Sequence, residues 1–387
     1  MNGDEFELLK ESVTAYIFRL NNHSKNGVLL ETTSSLVLYQ PRRSRPQIPP
    51  SQKGTTTSDP PQPIHTFASM KLNIFYVLVC VLAISCNMLK VVDRKQEKRF
   101  TKEEMPLIQF KEGTSTHSVH ASKKGRQKIL LLHGYGASGI GQYYRSAITL
   151  NEEYDLILPD LLYCGKSRGD LSEQSFTIEA QVEHVKLILD SLNIREPMLL
   201  IGNSYGGIVA AYFAEEYPEL VNKLVIYDSP VNEYRLSYAD SLAHSLDVPS
   251  VLELLSPTTI AENRKSLDVV FYDQPYIPRF LRRQMVKYGS IPSRPFQLKL
   301  LKHLMDHEME YNDHFFKWKM PVYLCWGEHD VLIPMQTCRA IMNRYGIADS
   351  QLHIFRDAAH AVNVENPKEF VEYVKRIAAD HPTIINK

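Results

Sequence analysis

A serine flanked by glycines is the first place where this sequence could carry out chemistry. Residues 202–206 read G-N-S-Y-G, directly after an apolar run at 198–202 and directly before a stretch with helical spacing. A tight turn from a buried strand into a helix needs glycines, because side chains there would clash, and it lifts the serine above the sheet edge. The helix that follows begins with free N–H groups and a partial positive charge, which stabilise an anionic tetrahedral intermediate. We therefore predict that Ser204 is a nucleophile.

A general base and an acid that orients it are the next requirement, because a serine at its ordinary pKa is a poor nucleophile. The loop at 326–334 reads W-G-E-H-D-V-L-I-P and carries Asp330, and the loop at 357–361 reads D-A-A-H-A and carries His360. Each loop follows a late predicted strand. A loop of small residues after the final strand lets an imidazole reach back to both Ser204 and Asp330. We predict that His360 is the base and Asp330 the acid.

Three other side chains compete for these two roles. Asp228 also ends a predicted strand and stays an alternative acid, although it lacks the G-x-x-D turn that contains Asp330. His329 adjoins Asp330, and His353 lies within a predicted strand, so both are rivals of His360. The position of His360 after the final strand favours it as the base.

Backbone N–H groups at two strand ends are candidates for binding an oxyanion. Residues 133–136 read H-G-Y-G at the end of an earlier predicted strand. The N–H groups of Tyr135 and Tyr205 would together form a two-donor site, and losing one such donor typically costs on the order of 3 kcal/mol in the transition state. We interpret the His133 side chain as structural, since a loop-shaping hydrogen bond is its commoner role.

The elements that must hold these residues alternate from residue 127 onward. Short apolar runs recur between longer segments with helical spacing, which predicts a mostly parallel sheet wrapped by helices. Helices are predicted at 177–192 and 205–217. The nearly all-apolar runs, typical of strands buried on both faces, lie at 128–133, 155–159, 198–202, 224–227, 322–326 and 352–355, with an earlier strand at 107–110.

The alternation breaks between residues 231 and 319. This interval has no strand pattern but repeated helical patterning interrupted by prolines, which is typical of an inserted helical lid. Its large apolar residues either bind a hydrophobic acyl chain or ring, or form the core of the lid itself. These residues are Tyr234, Leu236, Leu246, Leu252, Phe271, Tyr272, Tyr276 and Phe280.

Taken together, these motifs resemble those of a known superfamily. H-G-Y-G, P-D-L-L-Y-C-G-K-S at 159–167, G-N-S-Y-G-G, W-G-E-H-D-V-L-I-P and the D-A-A-H loop are similar to motifs of the lid-bearing α/β-hydrolases. One departure is Tyr163, which stands where that family commonly has glycine. The resemblance implies an α/β fold with a mostly parallel central sheet flanked by helices, and the order serine, acid, histidine. It also implies a core of residues 127–230 and 320–387 with a helical lid at 231–319.

The N-terminal third differs in character. Residues 1–69 carry proline clusters without a sustained period, and we interpret them as disordered or as an upstream extension of the gene model. Residues 72–89 form an apolar run of 18 residues without a charge, which suits a membrane. Segment 70–89 is then a signal peptide that starts at Met70 or an uncleaved anchor, with a buried core helix as the alternative. We interpret residues 90–126 as a linker and the first strand.

Composition narrows the range of partners. Lys+Arg and Asp+Glu each number 44, so the formal net charge is zero and the counterion release that drives nucleic-acid binding has no source. The five cysteines are too scattered for a disulfide framework and form no C-x-x-C pair that would suggest zinc. We expect no nucleic-acid partner, no metal and no cofactor. We also expect the protein to be membrane-associated through residues 72–89, or exported to the cell envelope.

These expectations combine into one reaction. Ser204 attacks a carbonyl carbon, His360 accepts the proton, and the N–H groups of Tyr135 and Tyr205 bind the oxyanion before water hydrolyses the acyl-enzyme. The sequence thus predicts a serine hydrolase that cleaves a carboxylic ester, or a related acyl bond, of a small or lipid-like hydrophobic substrate. The alternatives are a C–C bond hydrolase or an acyltransferase on the same triad, and a non-catalytic binding protein of this fold.

Overall fold

An eight-stranded sheet forms the centre of the structure, a computed structural model that describes residues 88–380. Its strands are β1 (Leu107–Glu112), β2 (Ser115–Ala121), β3 (Lys128–Leu132), β4 (Asp155–Asp160), β5 (Met198–Asn203), β6 (Val221–Tyr227), β7 (Val322–Gly327) and β8 (Leu352–Phe355). The order across the sheet is β1-β2-β4-β3-β5-β6-β7-β8. Strands β3 to β8 run parallel, whereas β1 pairs antiparallel with β2 and β2 antiparallel with β4. The predicted, mostly parallel sheet is therefore confirmed.

Helices cover both faces of the sheet and fill the longer connections. They are α1 (Met88–Lys102), α2 (Gly139–Leu150), α3 (Ile178–Ser191), α4 (Tyr205–Glu216), α5 (Leu236–Ser245), α6 (Val251–Leu255), α7 (Ile260–Val270), α8 (Arg279–Gln284), α9 (Ile291–Asp306), α10 (Glu308–Asp313), α11 (Met335–Tyr345), α12 (Val362–Glu365) and α13 (Pro367–Ala379). Helices α1, α2, α12 and α13 pack on one face of the sheet, and α3, α4 and α11 pack on the other. The two predicted core helices are α3 and α4, each within one residue of its predicted ends.

The central strands are apolar because both of their faces are covered. All six residues of β4 and all six of β5 are buried, as the nearly all-apolar pattern predicts. Strand β6 begins at Val221, three residues before its predicted start. The prediction started too late because the polar Lys223 interrupts the apolar pattern. The Lys223 ammonium donates to the carbonyl oxygens of Ile377 and Ala378 at 2.7 and 3.0 Å. A charged side chain is thereby accommodated in a buried strand.

Helix α1 and strand β2 lie in the segment that the sequence indicates as linker and first strand. Phe100 of α1 is fully buried, and its ring meets the His120 imidazole edge-on at 5.3 Å. Strand β2 has a polar sequence, S-T-H-S-V-H-A, yet its last five residues are buried. Residues 88–126 are therefore part of the packed fold, and this was not anticipated from the sequence.

A buried pair of histidines ties β2 to α3. The Nδ1 atom of His117 lies 2.7 Å from Nδ1 of His184, and Nε2 of His184 lies 2.8 Å from the Asp160 carbonyl oxygen. Since a carbonyl oxygen accepts, His184 Nε2 carries the proton, and its Nδ1 accepts from His117 Nδ1–H. Both rings are neutral in this arrangement, and Nε2 of His117 has no hydrogen-bond partner among residues 88–380. The hydrogen bond thus lets two polar rings lie buried between β2 and α3.

All regular elements between β6 and β7 are helical, in agreement with the proline-interrupted pattern of residues 231–319. Helices α5 to α10 occupy this insertion, and a π-helical turn, Met285–Ser290, joins α8 to α9. The capping box that begins α7 pairs Thr259 with Glu262. That the insertion moves as a lid stays a prediction.

Part of the N-terminal prediction lies outside the described residues. Residues 1–69 and the apolar run up to residue 87 belong to this part. Across residues 88–380, none of the helices combines the length and the apolar character needed to span a bilayer.

Candidate active site

Ser204 occupies a strained turn between β5 and α4. Its φ is 49° and its ψ is −119°, a region that residues with a side chain rarely adopt. The turn is held from both sides, because Ser204 N–H donates to the Tyr227 carbonyl oxygen at 3.1 Å while the Ser229 hydroxyl donates to the Ser204 carbonyl oxygen at 2.6 Å. The predicted strand, nucleophile and helix therefore have the geometry that exposes a serine hydroxyl at the sheet edge.

Two glycines permit this turn. A Cβ atom added to Gly206 would lie 2.4 Å from the His133 carbonyl oxygen, and one added to Gly202 would lie 2.4 Å from the Gly206 carbonyl oxygen. Both separations are far inside van der Waals contact. The first shows that α4 packs directly against the end of β3. The G-x-S-x-G spacing is thus a packing requirement.

His360 and Asp330 form a hydrogen-bonded pair. His360 Nδ1 lies 2.8 Å from Asp330 Oδ2, and the two residues are 7% and 4% exposed. The other carboxylate oxygen, Oδ1, accepts from the N–H groups of Leu332 and Ile333, both at 2.9 Å. Because an ionised carboxylate only accepts, Nδ1 of His360 carries the proton and Nε2 is left as the basic nitrogen. This is the orientation that a general base requires.

Ser204 lines a cavity. The loop that carries Asp330 lines the same cavity through Leu332 and Ile333. No hydrogen bond joins the Ser204 hydroxyl to His360 within residues 88–380. Such bonds often tighten when substrate binds.

Gln142 of α2 connects three of the loops that converge at the site. Its amide nitrogen donates to Asn203 Oδ1 at 2.9 Å, and its amide oxygen accepts from Gly134 N–H at 2.8 Å. The Gln142 carbonyl oxygen accepts from the Asn363 side chain, three residues after His360, at 2.9 Å. No sequence pattern pointed to Gln142, because its partners are brought together only by the fold.

Asp228, the alternative acid, is placed differently from Asp330. It is fully buried with a φ of 44°, and its Oδ1 accepts from Gly327 N–H at 2.8 Å. Its Oδ2 has no hydrogen-bond partner among the described residues. Burial, reinforced by the nearby Asp330 carboxylate, raises the pKa of Asp228 well above its ordinary value. We assign Asp228 as a neutral carboxylic acid and not as the partner of His360.

The two rival histidines have other partners. The exposed ring of His329 stacks on Tyr272 with centroids 4.0 Å apart. His353 Nε2 lies 3.0 Å from a Glu369 carboxylate oxygen. Neither forms a hydrogen bond with Asp330, so the structure favours His360.

The two candidate oxyanion donors border the cavity at Ser204. A Cβ atom added to Gly134 would lie 3.4 Å from Ser204 Cβ, so the loop that carries Tyr135 passes directly beside the serine. Within residues 88–380, neither Tyr135 N–H nor Tyr205 N–H donates to a protein acceptor. The His133 ring has the structural role that we predicted, because Nδ1 contacts the Gly134 carbonyl oxygen at 2.8 Å and Nε2 accepts from Leu161 N–H at 3.0 Å.

The cavity at Ser204 is small and almost entirely apolar, with a volume of about 60 Å³. Of the eight large residues singled out in the insertion, Tyr234 and Leu236 line it, whereas Tyr272 and Tyr276 are exposed. The prediction from sequence did not include the other lining residues of the insertion, because their side chains are smaller or lie on later helices. These residues are Ala239, Val251, Leu255, Leu301 and Leu304.

A larger cavity, of about 430 Å³, lies between the chain that enters β7 and the end of α11. Its walls include Phe315, Trp318 and Tyr345 but none of Ser204, Asp330 or His360. Despite its size, it has none of the groups that acyl chemistry needs.

Other reactive groups in the described part of the chain do not form a second centre. Residues 88–380 contain no group of three histidine, cysteine or acidic side chains arranged to hold a metal ion. Burial raises the pKa of the Cys164 and Cys338 thiols to about 12, so neither is a nucleophile at neutral pH.

Comparison with known proteins agrees with this fold. The model of the alpha/beta hydrolase fold family matches residues 128–367, more than half of the chain. The chain belongs to this family. Lipase 1 of Psychrobacter immobilis is 26% identical over 253 residues, which cover 64% of this chain and 76% of that lipase.

Two further comparisons extend the likeness. A 2-hydroxy-6-oxononadienedioate/2-hydroxy-6-oxononatrienedioate hydrolase of Paraburkholderia phymatum is 28% identical over 275 residues, covering 67% of this chain and 90% of that enzyme. The crystal structure of a membrane phospholipase A, a bacterial virulence factor, matches with a TM-score of 0.63 and 21% identity, covering 81% of this chain and 97% of that chain. The structural match supports the fold, and the named relatives support a hydrolase.

Proposed function

We propose that this hydrolase cleaves a carboxylic ester of a hydrophobic, lipid-like substrate through an acyl-enzyme on Ser204. The observation that carries the proposal is the His360–Asp330 hydrogen bond of 2.8 Å at the edge of the sheet where Ser204 stands on its strained turn. A serine, a base and an orienting acid in this arrangement activate the hydroxyl for attack on a carbonyl carbon.

The reaction proceeds in two halves. In the first, Nε2 of His360 takes the hydroxyl proton while Ser204 Oγ bonds to the carbonyl carbon, and the N–H groups of Tyr135 and Tyr205 donate to the oxyanion. His360 then gives the proton to the leaving alcohol as the C–O bond breaks. In the second half, water adds to the acyl carbon with the same proton transfers and releases the acid. Asp330 stays ionised and stabilises the imidazolium form of His360.

The cavity supports an apolar acyl group. None of the side chains that line it is a lysine, an arginine or a histidine. A substrate with two carboxylates, such as the dienedioate in the name of the Paraburkholderia relative, would have no cation to pair with there. The volume of about 60 Å³ is also far below the roughly 300 Å³ of small ligand sites. Entry of substrate therefore requires the lining, much of which the insertion supplies, to rearrange.

A C–C bond hydrolase on the same residues is the second candidate, and the relative from Paraburkholderia supports it. Two kinds of substrate separate the two candidates: a panel of p-nitrophenyl esters of increasing acyl length, and a 2-hydroxy-6-oxodienoate of the kind in the name of that relative. Turnover of the esters without cleavage of the oxodienoate supports the esterase. Cleavage of the oxodienoate without turnover of the esters would instead assign a C–C bond hydrolase. Competing alcohols added to the ester assay reveal an acyltransferase through the new ester product.

The test of Ser204 itself uses covalent labelling and substitution. A fluorophosphonate probe should modify Ser204, and Ser204→Ala should abolish labelling and lower ester turnover by several orders of magnitude with an unchanged melting temperature. Ser241→Ala removes an exposed hydroxyl on α5 and serves as the matched control. A folded wild-type protein that the probe does not modify would instead support a binding protein.

For localisation we propose membrane association or export directed by the apolar run at residues 72–89. N-terminal sequencing of the mature protein tests the start at Met70. A mature chain that begins at Met1 would contradict this start.

A further inference from the structure

One segment of the insertion contains several basic residues but no acidic residue of its own. Residues 274–305 contain seven lysines and arginines and no aspartate or glutamate, in a chain whose formal net charge is zero. Three of the seven are paired with acids elsewhere: Arg294 with Glu253, Lys299 with Glu173 and Lys302 with Asp306. The uncompensated charge therefore lies at the start of the segment, on α8 and the π-helical turn.

Three of the four remaining cations form a stripe, whereas the fourth, the half-buried Arg282, donates to the Ile277 carbonyl oxygen and the Gln274 side chain. Arg279, Arg283, Lys287 and Ile291 recur at intervals of four along α8, the π-helical turn and the start of α9, and this spacing places side chains on one side of a helix. All four are exposed. Within residues 88–380, none of the three cations has a carboxylate within ion-pair distance.

Exposed tyrosines accompany the stripe. Tyr288 is 44% exposed, with the Lys287 ammonium 5.1 Å from its ring centroid, and Tyr276 is 64% exposed just before α8. Ile291 is 47% exposed. Tyrosine rings beside basic side chains are typical of the interface between a bilayer and water, where the ring lies at headgroup depth and the cation reaches phosphate. We name this surface, formed by Tyr276, Arg279, Arg283, Lys287, Tyr288 and Ile291, the basic stripe.

One contact and one shared helix relate the basic stripe to the rest of the molecule. The N–H of Met88, where the described residues begin, donates to the Gln284 side chain at 2.7 Å, so the start of α1 lies beside α8. Helix α9 starts with Ile291 and also carries Leu301 and Leu304, which line the cavity at Ser204. One continuous helical segment therefore links the stripe, the start of α1 and the acyl cavity.

We propose that the basic stripe docks this hydrolase on the surface of a bilayer that contains anionic phospholipids. Arg279, Arg283 and Lys287 contact lipid phosphates, and Tyr276, Tyr288 and Ile291 enter the headgroup layer. The purpose of docking, delivery of a lipid-like acyl group to the α9 cavity, rests on the proposed function. The docking itself does not, because it can be measured without turnover.

The first experiment measures the charge dependence of binding with the full chain. Vesicles of phosphatidylcholine alone are compared with vesicles that also contain phosphatidylserine, for wild type and for Arg279→Gln/Arg283→Gln/Lys287→Gln. Each cation near an anionic surface contributes roughly fivefold in affinity, so the triple variant should lose about a hundredfold on the anionic vesicles. The matched control is Lys123→Gln/Lys319→Gln/Lys368→Gln, which removes three exposed lysines without an ion-pair partner among residues 88–380 and should bind as wild type. Equal losses in both triple variants, or none in the first, would overturn the proposal.

The second experiment identifies the face that touches lipid, since the apolar run could hold the chain on vesicles by itself. Tyr288→Trp adds a fluorophore in the stripe, and Phe315→Trp adds one at a residue that is 54% exposed elsewhere. Brominated phospholipids should quench the added emission of the first variant and not of the second. Quenching of both to the same degree, or of Phe315→Trp alone, contradicts docking through the stripe.

Two further readouts separate the remaining outcomes. The first triple variant should hydrolyse a soluble short-chain ester as wild type does, so a failure of docking is distinguishable from a failure of the hydrolase assignment. Heparin affinity is measured in parallel. If the triple variant loses heparin binding but keeps full affinity for anionic vesicles, the stripe serves a soluble polyanion and the membrane proposal is wrong.

Discussion

His360 and Asp330 are joined by a hydrogen bond of 2.8 Å, while the fully buried Asp228 accepts from the Gly327 N–H, three residues before Asp330. Two carboxyl groups thus converge on one turn in different hydrogen-bonding environments. Asp330 accepts hydrogen bonds on both of its oxygens, whereas Asp228 Oδ2 has no partner among the described residues. The arrangement separates the candidate acid, which is hydrogen-bonded to His360, from the acid whose pKa burial raises.

Asparagine substitutions test this separation. Asp330→Asn should lower kcat on a p-nitrophenyl ester by about 10⁴-fold, because an amide does not stabilise the imidazolium form of His360. Asp228→Asn should keep kcat within a few-fold of wild type, since a neutral amide replaces a neutral acid of the same shape. Steady-state kinetics with melting temperatures measure both. The opposite ranking would transfer the acid role to Asp228.

Gly327 controls the position of the loop that carries His360. A Cβ atom added there would lie 1.9 Å from the Ala359 carbonyl oxygen, so Gly327→Ala should displace this loop and lower kcat by about 100-fold. Gly346→Ala is the control, because space around Gly346 is open and its φ is 63°. The control should lose about 1 kcal/mol of stability and keep full activity. Normal kcat in Gly327→Ala would show that the loop tolerates the shift.

The loops of the active site follow from sequence more readily than the walls of the cavity do. Parallel strands end at one edge of the sheet, so loops after β5, β7 and β8 converge once the strand order is known. Strand β2 escaped prediction because burial of its polar residues depends on distant partners such as His184, 67 residues from His117. Leu301 and Leu304 escaped for the same reason, since the helical pattern of α9 does not indicate which of its faces meets Ser204.

Acyl-chain preference should depend on Leu304. Leu304→Trp fills the cavity and should lower kcat/KM for an octanoate ester relative to an acetate ester by about tenfold, since each buried methylene contributes roughly 0.8 kcal/mol. Leu298→Trp is the control on the same helix, because Leu298 is not among the lining residues. An unchanged ratio of the two esters in Leu304→Trp would place the acyl chain elsewhere.

The buried histidine pair should make stability depend on pH. Burial lowers the pKa of His184 from 6.5 to about 3, and burial also lowers the pKa of His117. Between these pH values the unfolded chain binds a proton that the folded chain excludes. The free energy of unfolding therefore falls as pH drops below 6.5, by up to about 1.4 kcal/mol per pH unit for His184.

Urea unfolding at several pH values between 4 and 7 measures this slope. His184→Gln keeps a neutral donor and acceptor and should flatten the slope, whereas His244→Gln, at an exposed position, should leave it as in wild type. An unchanged slope in His184→Gln would assign the acid sensitivity to other groups.

Strand β2 also determines where the chain can be shortened. The family match begins at residue 128, but β2 pairs with β4 through residues 118–121 and covers its outer side. Without β2, the six buried residues of β4 would become an open edge with unpaired backbone groups, and such an edge invites pairing with a second chain. A protein trimmed to the family boundary would therefore self-associate through β4, even though all of its proposed catalytic residues were retained.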